Sequence, residues 1–221
     1  MDMDIKVFIP VETGPVLEHD VIHIPNTEGK TLSEKISYMR RYHADWYIFR
    51  HDDLTMQAPL ADIVPMLEIM DRENVGVAGV IGTLCLYSSC MWWSPMRPQV
   101  TVGAITQGFG DGQPDVLMAD GPGLRTDAVS VDGCFMAFSR KFLEQYEEHP
   151  FHWRFGYDVD ACLQALKKGF KVGIIPFPCR HQSEGKFDPA EFGEARDRLL
   201  EYWGAKVDFP VINSSKFVDR K

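Results

Sequence analysis

The run Trp46-Tyr47-Ile48-Phe49-Arg50-His51-Asp52-Asp53-Leu54 changes character halfway along. Its first four residues are aromatic or branched, as in a buried strand, and the chain then turns abruptly polar. Ligands of open α/β sheets bind beyond the carboxyl ends of the strands, which would deliver His51, Asp52 and Asp53 into a cleft. An imidazole and two carboxylates in such a place suit a divalent cation, and a cation suits a phosphorylated substrate. The same residues also fit a polar turn with two solvated aspartates, so the flanking chain must arbitrate.

Upstream, residues 4–9 form a β-type run ending at Pro10, and Val11-Glu12-Thr13-Gly14-Pro15 is a loop. Val21-Ile22-His23-Ile24 is a second short strand. Thr31 and Glu34 make a capping-box pair at the start of a helix from about Leu32 to His43. Downstream, Pro59 suits a first helical turn, with Ile63, Leu67 and Met70 on one face and Pro65 forcing a kink or two short helices. Val75 to Leu86 is continuously apolar, as in a central strand buried on both faces. This β-α-β-α-β order favours a parallel sheet with crossover helices.

From Gly103 to Gly123 there are six glycines and two prolines with weak periodicity, which predicts a long functional or mobile loop. Beside it, Trp92 and Trp93 fit core or interface better than a sugar platform. Ala128 to Phe138 reads as a strand containing Val131-Asp132-Gly133, followed by a helix from about Arg140 to Glu148. Asp158 can cap a helix over Val159 to Lys168, with Cys162, Leu163 and Leu166 inward and Gly169 as its stop. The strand Lys171 to Ile175, a Pro176-Phe177-Pro178 turn, His181 and an amphipathic helix over about Pro189 to Trp203 complete the chain.

With 221 residues, 45% hydrophobic and 25% charged, the chain has the balance of a globular domain with a normal core. A formal net charge of -9 without a Lys/Arg cluster argues against nucleic acid and anionic membrane as partners. Met1-Asp2-Met3-Asp4 carries acid where a secretory signal carries base, and the longest apolar run is too short for an integral membrane segment. Cys85, Cys90, Cys134, Cys162 and Cys179 are odd in number and lack a CxxC pair, so they read as reduced thiols of a cytoplasmic protein.

The order His51-Asp52-Asp53, Val131-Asp132-Gly133, Tyr157-Asp158-Val159-Asp160, His181-Gln182-Ser183-Glu184-Gly185 resembles the GT-A glycosyltransferases of the family 2 type. The segment from Asp158 to Val172 is especially similar to that family's segment after the catalytic acid. The resemblance spans about residues 5–185. Where the common motif is Asp-x-Asp, this chain has His51-x-Asp53, similar to a His-x-Asp subgroup. Ile36 takes the place of a frequent asparagine, with Lys35 beside it, and Tyr157 stands where many members carry glutamate.

The resemblance implies a GT-A-like (Rossmann-related) α/β fold: one domain over residues 1–221, with a mostly parallel, mixed sheet flanked by helices. Within it, about 1–100 would form the nucleotide-binding half, about 101–185 the sugar and acceptor half, and 186–221 a C-terminal helix and tail. The implied activity is metal-dependent, inverting glycosyl transfer, using Mn2+ or Mg2+, from a nucleotide-sugar donor (a UDP-sugar) to an unknown acceptor. Asp53 would be the direct metal ligand, Asp52 would meet the ribose or a metal-bound water, and His181 would be a second metal or diphosphate ligand. His51 would either coordinate the metal or hydrogen-bond the nucleotide.

Pro10, Val11 and Glu12 would bind base and ribose, and Lys35 or Lys30 would offset phosphate charge unless they lie on a solvated helix face. Asp132 and Gly133 would shape the sugar pocket, a missing side chain allowing close approach. Trp153 and Arg154 would line the acceptor side or merely close a core. Asp158 would be the general base, a desolvated carboxylate of raised pKa, or else only a helix cap; Asp160 reads as structural. A rival from another class is a nucleotide-sugar-binding protein that has lost transfer. A phosphotransfer enzyme would need a glycine-rich loop after the first strand, and residues 11–15 make a poor one.

Overall fold

The strand Trp46–Arg50 is buried along its whole length and divides its side chains between two cores. Tyr47 and Phe49 join one cluster with Ile36, Phe142, Val159 and Trp203, while Trp46 and Ile48 join another with Leu67, Met70 and Ile81. That is the period-2 alternation of a strand covered on both faces. Each large side chain so buried contributes about 1.5–3 kcal/mol.

The computed structural model describes residues 3–11, 21–25, 31–90, 100–109, 114–120, 123–149, 151–152, 154–183 and 188–212. Its first elements are β1 (Ile5–Val11), β2 (Val21–Pro25), α1 (Leu32–Tyr38), β3 (Trp46–Arg50), β4 (Leu54–Met56), α2 (Val64–Arg72) and β5 (Val75–Gly79). Next come β6 (Ile81–Thr83), β7 (Cys85–Leu86), β8 (Thr101–Gly108), β9 (Val116–Asp120), β10 (Arg125–Ala128), β11 (Ser130–Val131) and β12 (Phe135–Ser139). The last are α3 (Arg140–Leu143), α4 (Tyr157–Lys167), β13 (Lys171–Ile174), β14 (Cys179–Gln182), α5 (Pro189–Trp203) and β15 (Val211–Ile212).

The main sheet has seven strands in the order β10-β13-β5-β12-β3-β1-β2. Pairs β1·β2, β1·β3 and β5·β13 are parallel, while β12 runs antiparallel between β3 and β5. The fold is therefore a mixed α/β sheet flanked by helices. A second sheet, β11-β6-β8-β14-β4 with β9 beside β8, and a small β15·β7 pair complete the strands.

Local signals hold where the chemistry is local. The Thr31 amide donates to Glu34 Oε2 at 2.7 Å and the Glu34 amide to Thr31 Oγ1 at 3.2 Å, closing the capping box. The helix itself is shorter than the spacing predicts, passing into a 3-10 turn over Met39–Arg41. Pro65 splits its segment as expected, into a 3-10 turn at Leu60–Ile63 and α2. The last helix spans the predicted Pro189–Trp203. All five cysteines are buried and unbridged.

Long-range partition differs from the sequence expectation. β1 continues through Pro10 to Val11, because β2 lies along it with Pro10 opposite Ile24. The apolar run from Val75 to Leu86 is three strands in three sheets: the chain leaves the main sheet after Gly79, and the Val80 carbonyl accepts from Ala104. Burial on both faces hides such a switch from periodicity. Ala128 to Phe138 likewise breaks at Asp132 into β11 and β12, and the helix expected to reach Glu148 stops at Leu143. Most of the supposed loop at 103–123 is the β8·β9 hairpin, with Ile105 opposite Met118. Trp92 and Trp93 lie outside the described residues.

Candidate active site

β3 delivers His51, Asp52 and Asp53 at its carboxyl end, and the turn they form is clamped from several sides. The buried Arg50 guanidinium donates to the carbonyls of His51, at 3.2 Å, and of Leu54. The His51 amide donates to the Cys134 carbonyl at 3.0 Å, and the Gln182 amide to the Asp53 carbonyl at 2.8 Å. β14 pairs antiparallel with β4, placing His181 opposite Leu54 and so beside Asp53. His181 is thus a strand residue and not a surface turn.

His51, Asp53 and His181 each present one ligand-type atom, all within 4.8 Å of one another. His181 Nε2 lies 3.2 Å and His51 Nδ1 3.8 Å from Asp53 Oδ1. Asp53 Oδ1 and His181 Nε2 are both buried and, among the described residues, have no hydrogen bond of acceptable geometry. Buried polar atoms are nearly always satisfied, so two such atoms facing one another suit a cluster that holds a cation. One carboxylate oxygen and two imidazoles form a donor set that fits a divalent metal.

Electrostatics tie the same three groups together. Burial pushes the His51 pKa down, and His181 acts in the same sense. Burial would raise the Asp53 carboxyl and lower His181, but their mutual attraction prevails, holding Asp53 below and His181 above its ordinary value. Asp52, by contrast, is exposed.

The amino end of α4 closes the site. Gly156 caps it with φ +81°, a left-handed conformation that glycine adopts without strain. Tyr157 is buried, lies edge-on to Phe49 at 6.0 Å, and places its hydroxyl 2.7 Å from His51 Nε2. Burial pushes its phenol well above the ordinary value, as does the neighbouring Asp158. Asp158 is half-buried; burial first, and then Asp132, push its carboxyl up to about 7. It sits inside the first turn of α4, accepting from the Val159 amide at 2.9 Å, and is therefore not the helix cap.

Asp132 accepts from the Cys134 amide at 2.8 Å in the turn before β12, and the Phe135–Arg50 register sets that turn beside His51. At Gly133 the space on the Cβ side is taken by Tyr157. A Cβ there would stand 2.1 Å from the Tyr157 hydroxyl, so the phenol already fills the space. Lys35 is buried, only 3% exposed, which excludes the solvated helix face. Pro10 and Val11 end β1, whose Phe8 pairs with Phe49, and so share the carboxyl edge with His51. Arg154 is exposed and lies over the Phe155 ring at 5.5 Å. Glu12, Lys30, Trp153, Glu184 and Gly185 lie outside the described residues.

Two residues of this site escape a sequence reading. Arg50 is one, and the only hint of it was a charge at the end of an apolar strand. Tyr157 is the other: the sequence marks it only as a departure from glutamate, without a partner for its hydroxyl.

Fold and site together define an α/β protein whose titratable side chains gather at the carboxyl edge of a mixed sheet around a cation-type donor set. The chain belongs to the Glycosyltransferase like family, whose model matches residues 11–201. It is thus a transferase of the glycosyltransferase type. No curated protein matches it. Among solved structures it is similar to a protein from STIV (15% identity, 82% of this chain and 83% of that one, TM-score 0.38). It is also similar to HddC from Yersinia pseudotuberculosis (15% identity, 82% and 68%, TM-score 0.33). A third is CMP:2-keto-3-deoxy-manno-octonic acid synthetase complexed with CTP (17% identity, 83% and 73%, TM-score 0.34). Among the described residues no helix is long and apolar enough to cross a membrane.

Proposed function

We propose that the protein is a metal-dependent, inverting glycosyltransferase that moves a sugar from a nucleotide-sugar donor, a UDP-sugar, to a hydroxyl acceptor. The observation that carries this reading is the pair of orphaned buried atoms, Asp53 Oδ1 and His181 Nε2, beside His51. Asp53, His181 and His51 would hold Mn2+ or Mg2+, and a bound cation supplies Lewis-acid charge to a diphosphate leaving group. Pro10 and Val11, on the same sheet edge, would face base and ribose, with Asp52 toward the ribose and Lys35 toward phosphate charge.

Asp158 is the general base in this reading. A carboxyl raised to about 7 by burial and Asp132 is matched to taking a proton near neutral pH. It accepts the acceptor's hydroxyl proton as the oxygen attacks the anomeric carbon, and the nucleotide diphosphate departs from the opposite face. One displacement inverts the configuration. Asp132 sits close enough to raise Asp158 and would border the donor sugar.

The test is calorimetric titration of UDP, GDP and CDP, with and without Mn2+, on the wild type and on Asp53→Ala. Manganese-dependent binding of UDP, lost in the variant, is the expected result. Binding of none of the three under any condition overturns the nucleotide-sugar reading. Nucleotide binding with no turnover in either the wild type or Asp158→Asn, across a broad acceptor screen, would make it a binding protein.

A further inference from the structure

We propose that Tyr157 is a positioning residue of the cation site: its hydroxyl occupies the Nε2 side of His51 and so commits Nδ1 to the cluster with Asp53 and His181. The inference rests on the cation reading above. A neutral imidazole carries one proton on two nitrogens, and only the bare nitrogen can ligate. Which one is bare depends on the hydrogen bond made by the other. In this protein Nε2 lies 2.7 Å from the Tyr157 hydroxyl, while Nδ1 faces Asp53 Oδ1 at 3.8 Å. With Tyr157 accepting from Nε2–H, the Nδ1 lone pair points into the donor set.

The phenol has little freedom to do anything else. Its ring is buried and lies edge-on to Phe49 in β3, two residues before His51. Its far end is seated on Gly133: a Cβ there would come within 2.1 Å of the hydroxyl oxygen and 2.5 Å of Cζ. A side chain at 133 therefore forces the Tyr157 phenol or the 133 backbone to shift. Gly133 is the seat of Tyr157, and the strand end, the β11–β12 turn and the start of α4 are joined through one hydrogen bond.

The experiment adds Mn2+ alone to the metal-free protein and reads affinity by calorimetry, for the wild type, Tyr157→Phe, Gly133→Ala and Asp53→Ala. Tyr157→Phe keeps the ring against Phe49 and removes only the hydroxyl, and Gly133→Ala attacks the same bond from the other side. Each is expected to weaken Mn2+ binding about 10–100-fold, and Asp53→Ala to abolish it. The unfolding midpoint of each metal-free variant is measured alongside. A lowered midpoint with unchanged Mn2+ affinity in Tyr157→Phe, while Asp53→Ala still loses the ion, overturns the role of Tyr157 and leaves the cation site standing. No Mn2+ binding by the wild type overturns the cation reading itself.

Discussion

Two Tyr–His–Asp groups flank α4, built from the same parts and finished in opposite ways. In the first, Tyr202 Oη meets His149 Nε2 at 2.9 Å and His149 Nδ1 meets Asp160 Oδ1 at 2.9 Å. Asp160 is fully buried and also accepts from Trp203 Nε1 and Gln164 Nε2, each at 2.8 Å. In the second, Tyr157 meets His51 Nε2 at 2.7 Å, but His51 Nδ1 stands 3.8 Å from Asp53, and Asp53 Oδ1 and His181 Nε2, 3.2 Å apart, have no hydrogen bond of good geometry among the described residues. A satisfied network has no donor or acceptor left for a ligand and can only hold α4 to α5. The second keeps donor and acceptor capacity that a ligand can use.

Asp158 and Asp160, two residues apart in the first turn of α4, separate the two behaviours most sharply. Asp158→Asn should cut turnover about 100- to 10,000-fold while sparing nucleotide binding, read by steady-state kinetics and calorimetry. The wild-type carboxyl, raised from 3.8 to about 7, binds its proton more tightly folded than unfolded. Its contribution to stability is therefore present below about pH 4 and is lost as pH rises towards 7. Unfolding midpoints across that range should decline less in Asp158→Asn than in the wild type. Wild-type kcat/KM should rise with pH through about 7, because the base must be ionised. A flat profile across that range would remove Asp158 from the proton transfer.

Asp160→Ala should do the reverse. It strips one acceptor from three donors in the interior, and a loss of about 2–4 kcal/mol is expected in urea unfolding. Mn2+ affinity of the folded protein should not change. An equal loss of Mn2+ binding would mean that the two groups are coupled through α4.

The fully buried network is barely legible in sequence, since the partners of Asp160 lie as far off as Trp203. The site was more legible. Motif order gathered His51, Asp53, Asp132, Asp158 and His181, because each sits at a strand end or helix start, where sequence marks a change of polarity. What sequence could not supply was mutual approach. Nothing in the local chain says that Tyr157 will pack against the Cβ side of Gly133. The fold shows the same division. Capping at Thr31 and the breaks at Pro65 and Gly169 are local and were readable, whereas the passage from β5 into another sheet depends on β8, more than twenty residues away. Glycine-rich 103–123 misled for a related reason. Its β-branched residues pair across the hairpin, and strand pairing outweighs composition.

The smallest and best-matched perturbation removes one hydroxyl from each group. Tyr202→Phe deletes a bond to His149 Nε2 whose other nitrogen remains held by Asp160, so the imidazole keeps its orientation. The expected cost is about 1 kcal/mol of stability, with Mn2+ and UDP affinity unaltered. Tyr157→Phe deletes the equivalent bond to His51 Nε2, whose other nitrogen faces Asp53 only at 3.8 Å, and a comparable stability change should come with weaker Mn2+ binding. Thermal unfolding of the two variants, each with and without saturating Mn2+, makes the comparison directly. The Mn2+-induced rise in midpoint should match the wild type in Tyr202→Phe and shrink in Tyr157→Phe. Equal rises in both would mean that Asp53 and His181 bind the ion without help from the tautomer of His51, and the likeness between the two groups would then be one of packing alone.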